Sequence, residues 1–248
     1  MRLVTYNFRA GGKRGEQNQW SKILTNFAPD IVFAQETRDP KLEVPQYQIN
    51  PDRFIWHPVN HRWGSALFIR DGEMRPLDLP GYEGWVVGAE INDLAWPRAL
   101  RVFSVHGPSR KGSNYIKEMH LILNEIAKLP ADADLLIGGD FNIAASFRHD
   151  GEEMKTGKAN EAVLARLSNE FGLKSCWQTA NPDQPLAQTL RWGTNKTTPY
   201  HCDGIFAPVA WSHLLESCQI ISEGWEVLSD HNPVVATFNL YTPGGRQV

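Results

Sequence analysis

The 248-residue chain predicts a layered α/β (α+β) domain in which two β-sheets pack together with helices outside them. Three observations carry this. Eight short runs rich in β-branched and aromatic residues are bounded by turn formers, and between them lie at least three segments with amphipathic helical spacing. Gly and Pro are scattered as punctuation, without a repeat, low-complexity tract or long linker, so residues 1–248 are expected to form a single domain. Strands outnumber helices, which disfavours a strictly alternating βαβ arrangement.

The strands are expected at LVTYN (3–7), DIVFAQE (30–36), GSALFIR (64–70), WVVGAEI (85–91), LRVFSVH (100–106), DLLIGG (134–139), DGIFAPV (203–209) and PVVATFNL (233–240). The first helix runs from Gln19 to Phe27, with Trp20, Ile23, Leu24 and Phe27 on one stripe. A second runs from Tyr115 to Leu129, presenting Ile116, Met119, Leu123, Ile126 and Ala127. A third, Ala159 to Phe171, presents Val163, Leu164, Leu167 and Phe171.

With 42% hydrophobic residues the chain can bury a substantial core. A formal charge of −3 excludes a globally basic nucleic-acid binder but leaves a local cationic face open. The three cysteines (Cys176, Cys202, Cys218) are odd in number and lack CxxC spacing, which argues against a disulfide framework or a cysteine zinc site and fits a reducing compartment. There is no charged leader with an apolar h-region and no run of membrane-span length, so a soluble, cytoplasmic protein without a membrane partner is expected. Oligomeric state leaves no signal in the sequence.

Polar residues at the strand ends point to chemistry. Four apolar runs end on a group able to bind a metal or move a proton: Asn7, Glu36, His106, and Asp140 with Asn142. Two others begin that way, Asp203 before GIFAPV and Asp230-His231 before PVVATF. Ser229 to Pro233 alone reads as an ordinary turn. Six such placements together, gathered at one edge by strands of opposite direction, supply acidic groups for a hard cation, histidines for proton transfer and Asn side chains for phosphate or metal. That set suits metal-assisted phosphoester hydrolysis.

TYN (5–7), QET (35–37), SVHGPS (104–109), GGDFN (138–142), YHCDGIF (200–206) and SDHNP (229–233), in this order, resemble the motif series of the endonuclease/exonuclease/phosphatase superfamily, the deoxyribonuclease I-like fold. The resemblance implies a four-layer α/β/β/α sandwich, two packed mixed β-sheets flanked by helices. It implies Glu36 as principal ligand of Mg²⁺ (or Mn²⁺), with Asn7 beside it and Asp230 also serving the metal. His231 resembles the base that activates water, held in its tautomer by Asp203, while Asp140 and Asn142 face the scissile phosphate and departing oxygen. His106 resembles the His of deoxyribonuclease I, sphingomyelinases, inositol polyphosphate phosphatases and deadenylases, where exonuclease III-like abasic-site enzymes typically carry Tyr. In the deoxyribonuclease I pattern a Glu orients this His, and Glu83 is the candidate. Gly204 departs from the HIDYIF common in bacterial relatives, removing an aromatic side chain beside Asp203.

Fold and chemistry do not choose the substrate. Arg9, Lys13, Arg14, Arg38, Arg110, Lys111, Arg148, Arg191 and Lys196 adjoin the motif residues and would form a cationic rim, with Trp63, Phe147, Trp192 and Tyr200 available to stack on bases. Trp20, Trp85 and Trp96 are assigned to core packing. AGGKRG (10–15) lacks P-loop spacing and reads as an active-site loop. His149 and His201 lie within reach of the site along the chain. The expectation is a nuclease, with DNA first and RNA second, and as alternative a hydrolase of small phosphoesters such as inositol phosphates, nucleotides or lipid head groups. A catalytically silent binding protein on this fold is a remote third, since Glu36, Asp140 and His231 are all present.

Overall fold

A computed structural model of the chain describes residues 1–11, 19–45, 49–92, 98–144, 147–149, 152–154, 157–191 and 199–239, with backbone alone at 147–149, 152–154 and 199. In chain order the strands are β1 (Arg2–Asn7), β2 (Ile31–Thr37), β3 (Phe54–Pro58), β4 (Gly64–Ile69), β5 (Glu73–Leu77), β6 (Val86–Asn92), β7 (Leu100–His106) and β8 (Asp134–Asp140). There follow β9 (Phe147–His149), β10 (Glu152–Met154), β11 (Leu173–Ser175), β12 (Leu190–Arg191), β13 (Pro199–Tyr200), β14 (Asp203–Pro208), β15 (Leu215–Ile220) and β16 (Val234–Phe238). The helices are α1 (Gln19–Phe27), α2 (Pro40–Glu43), α3 (Tyr115–Ile126), α4 (Lys158–Asn169) and α5 (Cys176–Ala180).

The strands form two six-stranded mixed sheets, ordered β15-β16-β1-β2-β4-β3 and β11-β14-β8-β7-β6-β5, with β9-β10 and β12-β13 as separate pairs. Each large sheet has one parallel pair, β1 with β2 and β7 with β8, amid antiparallel neighbours. All eight expected strands are present. The four large-sheet strands that the sequence pattern did not announce, β3, β5, β11 and β15, are the four sheet edges. An edge strand need bury only part of one face, and β5 (EMRPL) shows it: no residue is fully buried, and Pro76 sits where a ladder donor is dispensable.

Period-two alternation sorts the side chains into layers. Leu3, Ile31 and Phe33 of the first sheet meet Val87, Val102, Leu136 and Ile205 of the second, forming the core between the sheets. The opposite face of the second sheet, with Phe103, Val105 and Ile137, is covered by Met119, Ile122 and Leu123 of α3 and by Val163 and Leu167 of α4. The outer face of the first sheet, with Val4, Tyr6, Val32 and Ala34, is covered by Trp20 and Ile23 of α1. This is the four-layer sandwich. Helix α3 stops at Ile126, short of the expected Leu129, with Lys128 and Leu129 closing by tighter turns before Pro130. Gly138 explains how closely the sheets approach: a Cβ there would lie 2.5 Å from the Phe33 ring, so the first glycine of GGDFN is fixed by packing.

Candidate active site

The alternation that fills the core also builds the site. Along the inward face of β7 the side chains run Leu100, Val102, Ser104, His106; along β1 they run Leu3, Thr5, Asn7. The core therefore turns polar toward one end. Gln35 Nε2 donates to Ser104 Oγ at 3.1 Å and Ser104 Oγ to Ala34 O at 3.1 Å, a fully buried polar seam between apolar core and site. Beyond it, cross-strand register aligns His106 with Asp140 and Asp140 with Asp203, placing three ionisable groups in one row across β7, β8 and β14.

Asn7 joins this row to the first sheet. Its Nδ2 donates to Asp140 Oδ2 at 3.0 Å and lies 3.4 Å from Glu36 Oε1, while its Oδ1 accepts from Arg9 N at 2.9 Å. Glu36 Oε2 accepts from Ala10 N at 2.9 Å. The backbone is strained here: Arg9, Ala10, Glu36 and Asn142 all have φ between 50° and 55°. Such conformations cost about 1–3 kcal/mol each in non-glycine residues and cluster at functional sites. At Glu36 the strain coincides with a register shift between Ala34 and Thr37, which re-aims its side chain from the ladder into the site.

His231 Nδ1 donates to both oxygens of Asp203 at 3.0 Å, which leaves Nε2 facing Asp140 Oδ2 at 3.8 Å. Asp140, Asp203 and His231 thus form a buried group whose ligand atoms lie within 4.8 Å of one another and which can hold a metal ion. Burial opposes the charged imidazolium of His231, but the negative charges of Asp203 and Asp140, the hydrogen bond to Asp203 and the charge of Asp230 outweigh it and push its pKa up to about 10. Burial pushes the Asp140 carboxyl up, and the negative charge of Asp203 adds to that. Asp140 Oδ1 accepts from Asn142 N at 3.0 Å, and Asn142 Nδ2 donates to Gly107 O at 3.0 Å.

His106 is placed differently from expectation. Its Nε2 lies 3.6 Å from Glu36 Oε1, its Nδ1 is buried without a hydrogen-bond partner among the described residues, and its ring sits between Trp85 (5.1 Å) and Trp63 (5.4 Å). Burial pushes its pKa down to about 4, against the opposing charge of Asp140. Glu83 is not its partner: the Glu83 carboxylate is exposed and accepts from Gly81 N at 3.0 Å. A glutamate three residues before a strand is better placed to close its own turn. Trp85, assigned to core packing, is a partly exposed wall of the site.

Among the described residues the expected rim is thinner than the sequence suggested. Arg9 stands at the site, its side chain 65% exposed and Nε 3.6 Å from Asp230 Oδ2. Asp230 turns to Arg9 and to Ser229 Oγ, not into the row with Glu36 and Asn7. Arg110 is committed elsewhere: it donates to Gly81 O at 2.5 Å and lies over the Tyr82 ring, 4.0 Å from the buried Glu118. Arg191 holds the backbone of residues 229–231. Lys111 is exposed in the turn after β7. Arg148, Phe147 and His149 lie in β9, whose side chains are outside the described residues, as are Trp192, Trp96, Lys13, Arg14 and Lys196. His201 is buried, its Nδ1 on Ala187 O at 2.8 Å.

Three participants were not anticipated. Tyr115, the first residue of α3, is 40% exposed, and its hydroxyl pKa is raised by burial and then by the charges of Asp140 and Glu36. The sequence showed it only as the start of an amphipathic stripe. Ser229 Oγ donates to Asn7 O at 2.8 Å and accepts from His231 N at 3.1 Å. Thr189 Oγ1 accepts from Asp203 N at 3.1 Å. Ser229 stood in the sequence only as the opening of SDHNP, and a lone Thr such as Thr189 carries no spacing signal.

The model of the Endonuclease/Exonuclease/phosphatase family matches residues 4–206. Among curated proteins no significant match is found. The chain is similar to the solved endonuclease domain of TRAS1, a telomere-specific non-LTR retrotransposon, at 16% identity over 97% of this chain and 99% of that one, with a TM-score of 0.67. It is similar to the 3′ phosphatase NExo from Neisseria bound to product DNA hairpin, at 18% identity over 96% and 99%, TM-score 0.68. It is also similar to the AP endonuclease LMAP from Leishmania major, at 13% identity over 96% and 87%, TM-score 0.70. At these identities the likeness shows the fold.

Proposed function

The chain belongs to the endonuclease/exonuclease/phosphatase family, enzymes that hydrolyse phosphoester bonds, and from that premise we propose that it is a divalent-metal-dependent phosphodiester hydrolase acting on nucleic acid, DNA before RNA. The carrying observation is the buried His231–Asp203 pair standing in one row with Asp140, beside Glu36 and Asn7. His231, its Nδ1 committed to Asp203, presents Nε2 to take the proton of the attacking water, and Asp203 fixes the tautomer. Asn142, His106 and Tyr115 offer hydrogen bonds to phosphate oxygens and to the departing group.

The donor set fits a hard cation. Glu36 and Asp140 converge on the Asn7 amide and offer carboxylate oxygens; Asn7 now turns its Nδ2 to them and would present its Oδ1 to an ion by rotating the amide and releasing Arg9 N. Glu36, Asn7 and Asp140 would hold Mg²⁺ or Mn²⁺; His231, already spent on Asp203 through Nδ1, is better suited to carrying the proton. When bound, the ion supplies positive charge that offsets charge building on the phosphate oxygens.

The Neisseria relative solved with a DNA hairpin and the exposed Arg9 beside the site support a nucleic-acid substrate. The commitment of Arg110 and Arg191 to internal bonds favours the second reading, a hydrolase of small phosphoesters. Among the described residues no helix is long and apolar enough to cross a membrane. The test is hydrolysis of plasmid DNA, single-stranded DNA, RNA, bis-p-nitrophenyl phosphate and inositol phosphates with Mg²⁺, Mn²⁺ or EDTA, beside the His231→Ala variant. Metal-dependent polymer cleavage lost in the variant supports the nuclease; activity confined to small esters moves the protein to the second reading.

A further inference from the structure

His231 and Asp203 belong to different sheets. Asp203 opens β14 of the second sheet, and His231 lies in the segment that leads into β16 of the first. Their 3.0 Å contact therefore depends on how one sheet is fixed against the other at this end. Residues 187–191 run between them and bond to both. Toward Asp203, Thr189 Oγ1 accepts from Cys202 N at 2.8 Å and Asp203 N at 3.1 Å, and Ala187 O accepts from His201 at 2.8 Å. Toward His231, Thr189 O accepts from Asn232 N at 2.8 Å, Gln188 O accepts from Asn232 Nδ2 at 2.9 Å, and Arg191 N donates to Asp230 O at 2.8 Å.

The Arg191 side chain completes the strap. Its guanidinium donates through Nη1 to Asn232 Oδ1, and through Nη2 to Ser229 O at 2.8 Å and His231 O at 3.3 Å. We propose that Arg191 is a positioning residue for His231: it clamps residues 229–232 so that the imidazole stays opposite Asp203, and it does not bind substrate. The inference rests on the reading of His231 as the water activator. A guanidinium suits the task because one planar group reaches a side-chain oxygen and two main-chain carbonyls together; an ammonium on a flexible stem loses that fork geometry. Arg191 is half-buried with its donors turned inward, the opposite of a rim cation waiting for phosphate. Misplacement of a catalytic group by about 1 Å is enough to lower a rate about 100-fold.

The test compares Arg191→Ala and Arg191→Lys with wild type on plasmid DNA and on bis-p-nitrophenyl phosphate, across a salt series and an Mg²⁺ titration. The clamp predicts kcat lower by about 10–100-fold in both variants, KM within about threefold, the same loss on both substrates, and unchanged salt and metal dependence. Partial recovery of Arg191→Ala by added guanidinium would support it. A raised KM with kcat intact and a salt slope shallower by about one on DNA would overturn it and assign Arg191 to phosphate. Should Arg191→Ala fail to fold, Asn232→Ala removes one end of the clamp: a matching kcat loss, not deepened by adding Arg191→Lys, supports the proposal, and additive losses oppose it. If the wild-type protein hydrolyses no phosphoester, the functional reading fails, and a crystal structure of Arg191→Lys still decides the clamp: a displaced His231 sustains it, and an intact His231–Asp203 contact refutes it.

Discussion

His231 donates Nδ1 to both oxygens of Asp203 at 3.0 Å, and both residues are almost wholly buried. A neutral imidazole held in this way has one free nitrogen and one tautomer, the state required of a base. His231→Ala is expected to lower kcat by about 10²–10⁴-fold. Asp203→Asn keeps the shape but replaces the acceptor by an amide that can turn its own donor toward Nδ1, favouring the wrong tautomer, and a loss of similar order is expected. Steady-state kinetics of the two single variants and the double variant check this: losses that multiply in the double variant would separate the two residues.

The charge around His231 makes a pH prediction. Its pKa is raised from 6.5 to about 10, so it remains protonated in the metal-free protein at neutral pH. A raised folded-state pKa contributes stability that is complete below about 6.5 and is lost as pH rises through about 10. The metal-free protein should therefore lose thermal stability between pH 7 and 10, with a shallower slope in His231→Ala. Added Mg²⁺ places positive charge among the same carboxylates and should return the imidazole toward neutrality, seen as a lowered His231 titration midpoint by NMR. An imidazole already neutral at pH 8 without metal would refute the electrostatic account.

Much of this arrangement was legible in the sequence, for a physical reason. Residues central to a sheet must be apolar until the strand leaves the core, so Asn7, Glu36, His106 and Asp140 stood out against LVTY, IVFAQ, RVFSV and LLIGG, and the register then aligned two of them directly. The edge strands β3, β5, β11 and β15 were missed because an edge carries no strict alternation. Arg110 and Arg191 bond internally where a rim was expected, because a basic residue beside a motif looks the same whether its partner is a phosphate or a carbonyl of its own chain. Only the loop path, which sequence spacing does not encode, separates them.

Glu36 combines a strained backbone, φ 50°, with a carboxylate that accepts from Ala10 N at 2.9 Å. Glu36→Gln retains an oxygen for that donor while removing the charge. The fold should survive, and the Mg²⁺ concentration for half-maximal activity should rise at least about tenfold, since a neutral amide is a weaker ligand for a hard cation. An unchanged metal titration would take Glu36 out of the ligand set. Asn7→Ala, which also leaves Asp140 Oδ2 without its donor at 3.0 Å, should raise the metal requirement and lower thermal stability by about 1–3 kcal/mol.

The setting of His106 separates two ways of holding an imidazole. A carboxylate bonded to Nδ1 would orient the ring and favour its charged form; here Glu36 Oε1 lies 3.6 Å from Nε2 on the other side, Trp85 and Trp63 flank the ring at 5.1 and 5.4 Å, and burial lowers its pKa to about 4. Glu83, exposed and bonded to Gly81 N, takes no part, so Glu83→Ala should leave kcat/KM within about twofold and cost a few tenths of a kcal/mol as a turn closure. Trp85→Ala removes one wall and admits water to Nδ1. It should lower kcat by about tenfold or more, while Trp85→Phe, which keeps an aromatic face, should retain most of the activity. The stability sign follows from a folded pKa below 6.5: the contribution of a neutral His106 is present above that value and is lost as pH falls through about 4. Trp85→Ala, by admitting water, should weaken that acid sensitivity. A profile in which Glu83→Ala, and not Trp85→Ala, changes activity would restore the carboxylate as the orienting group.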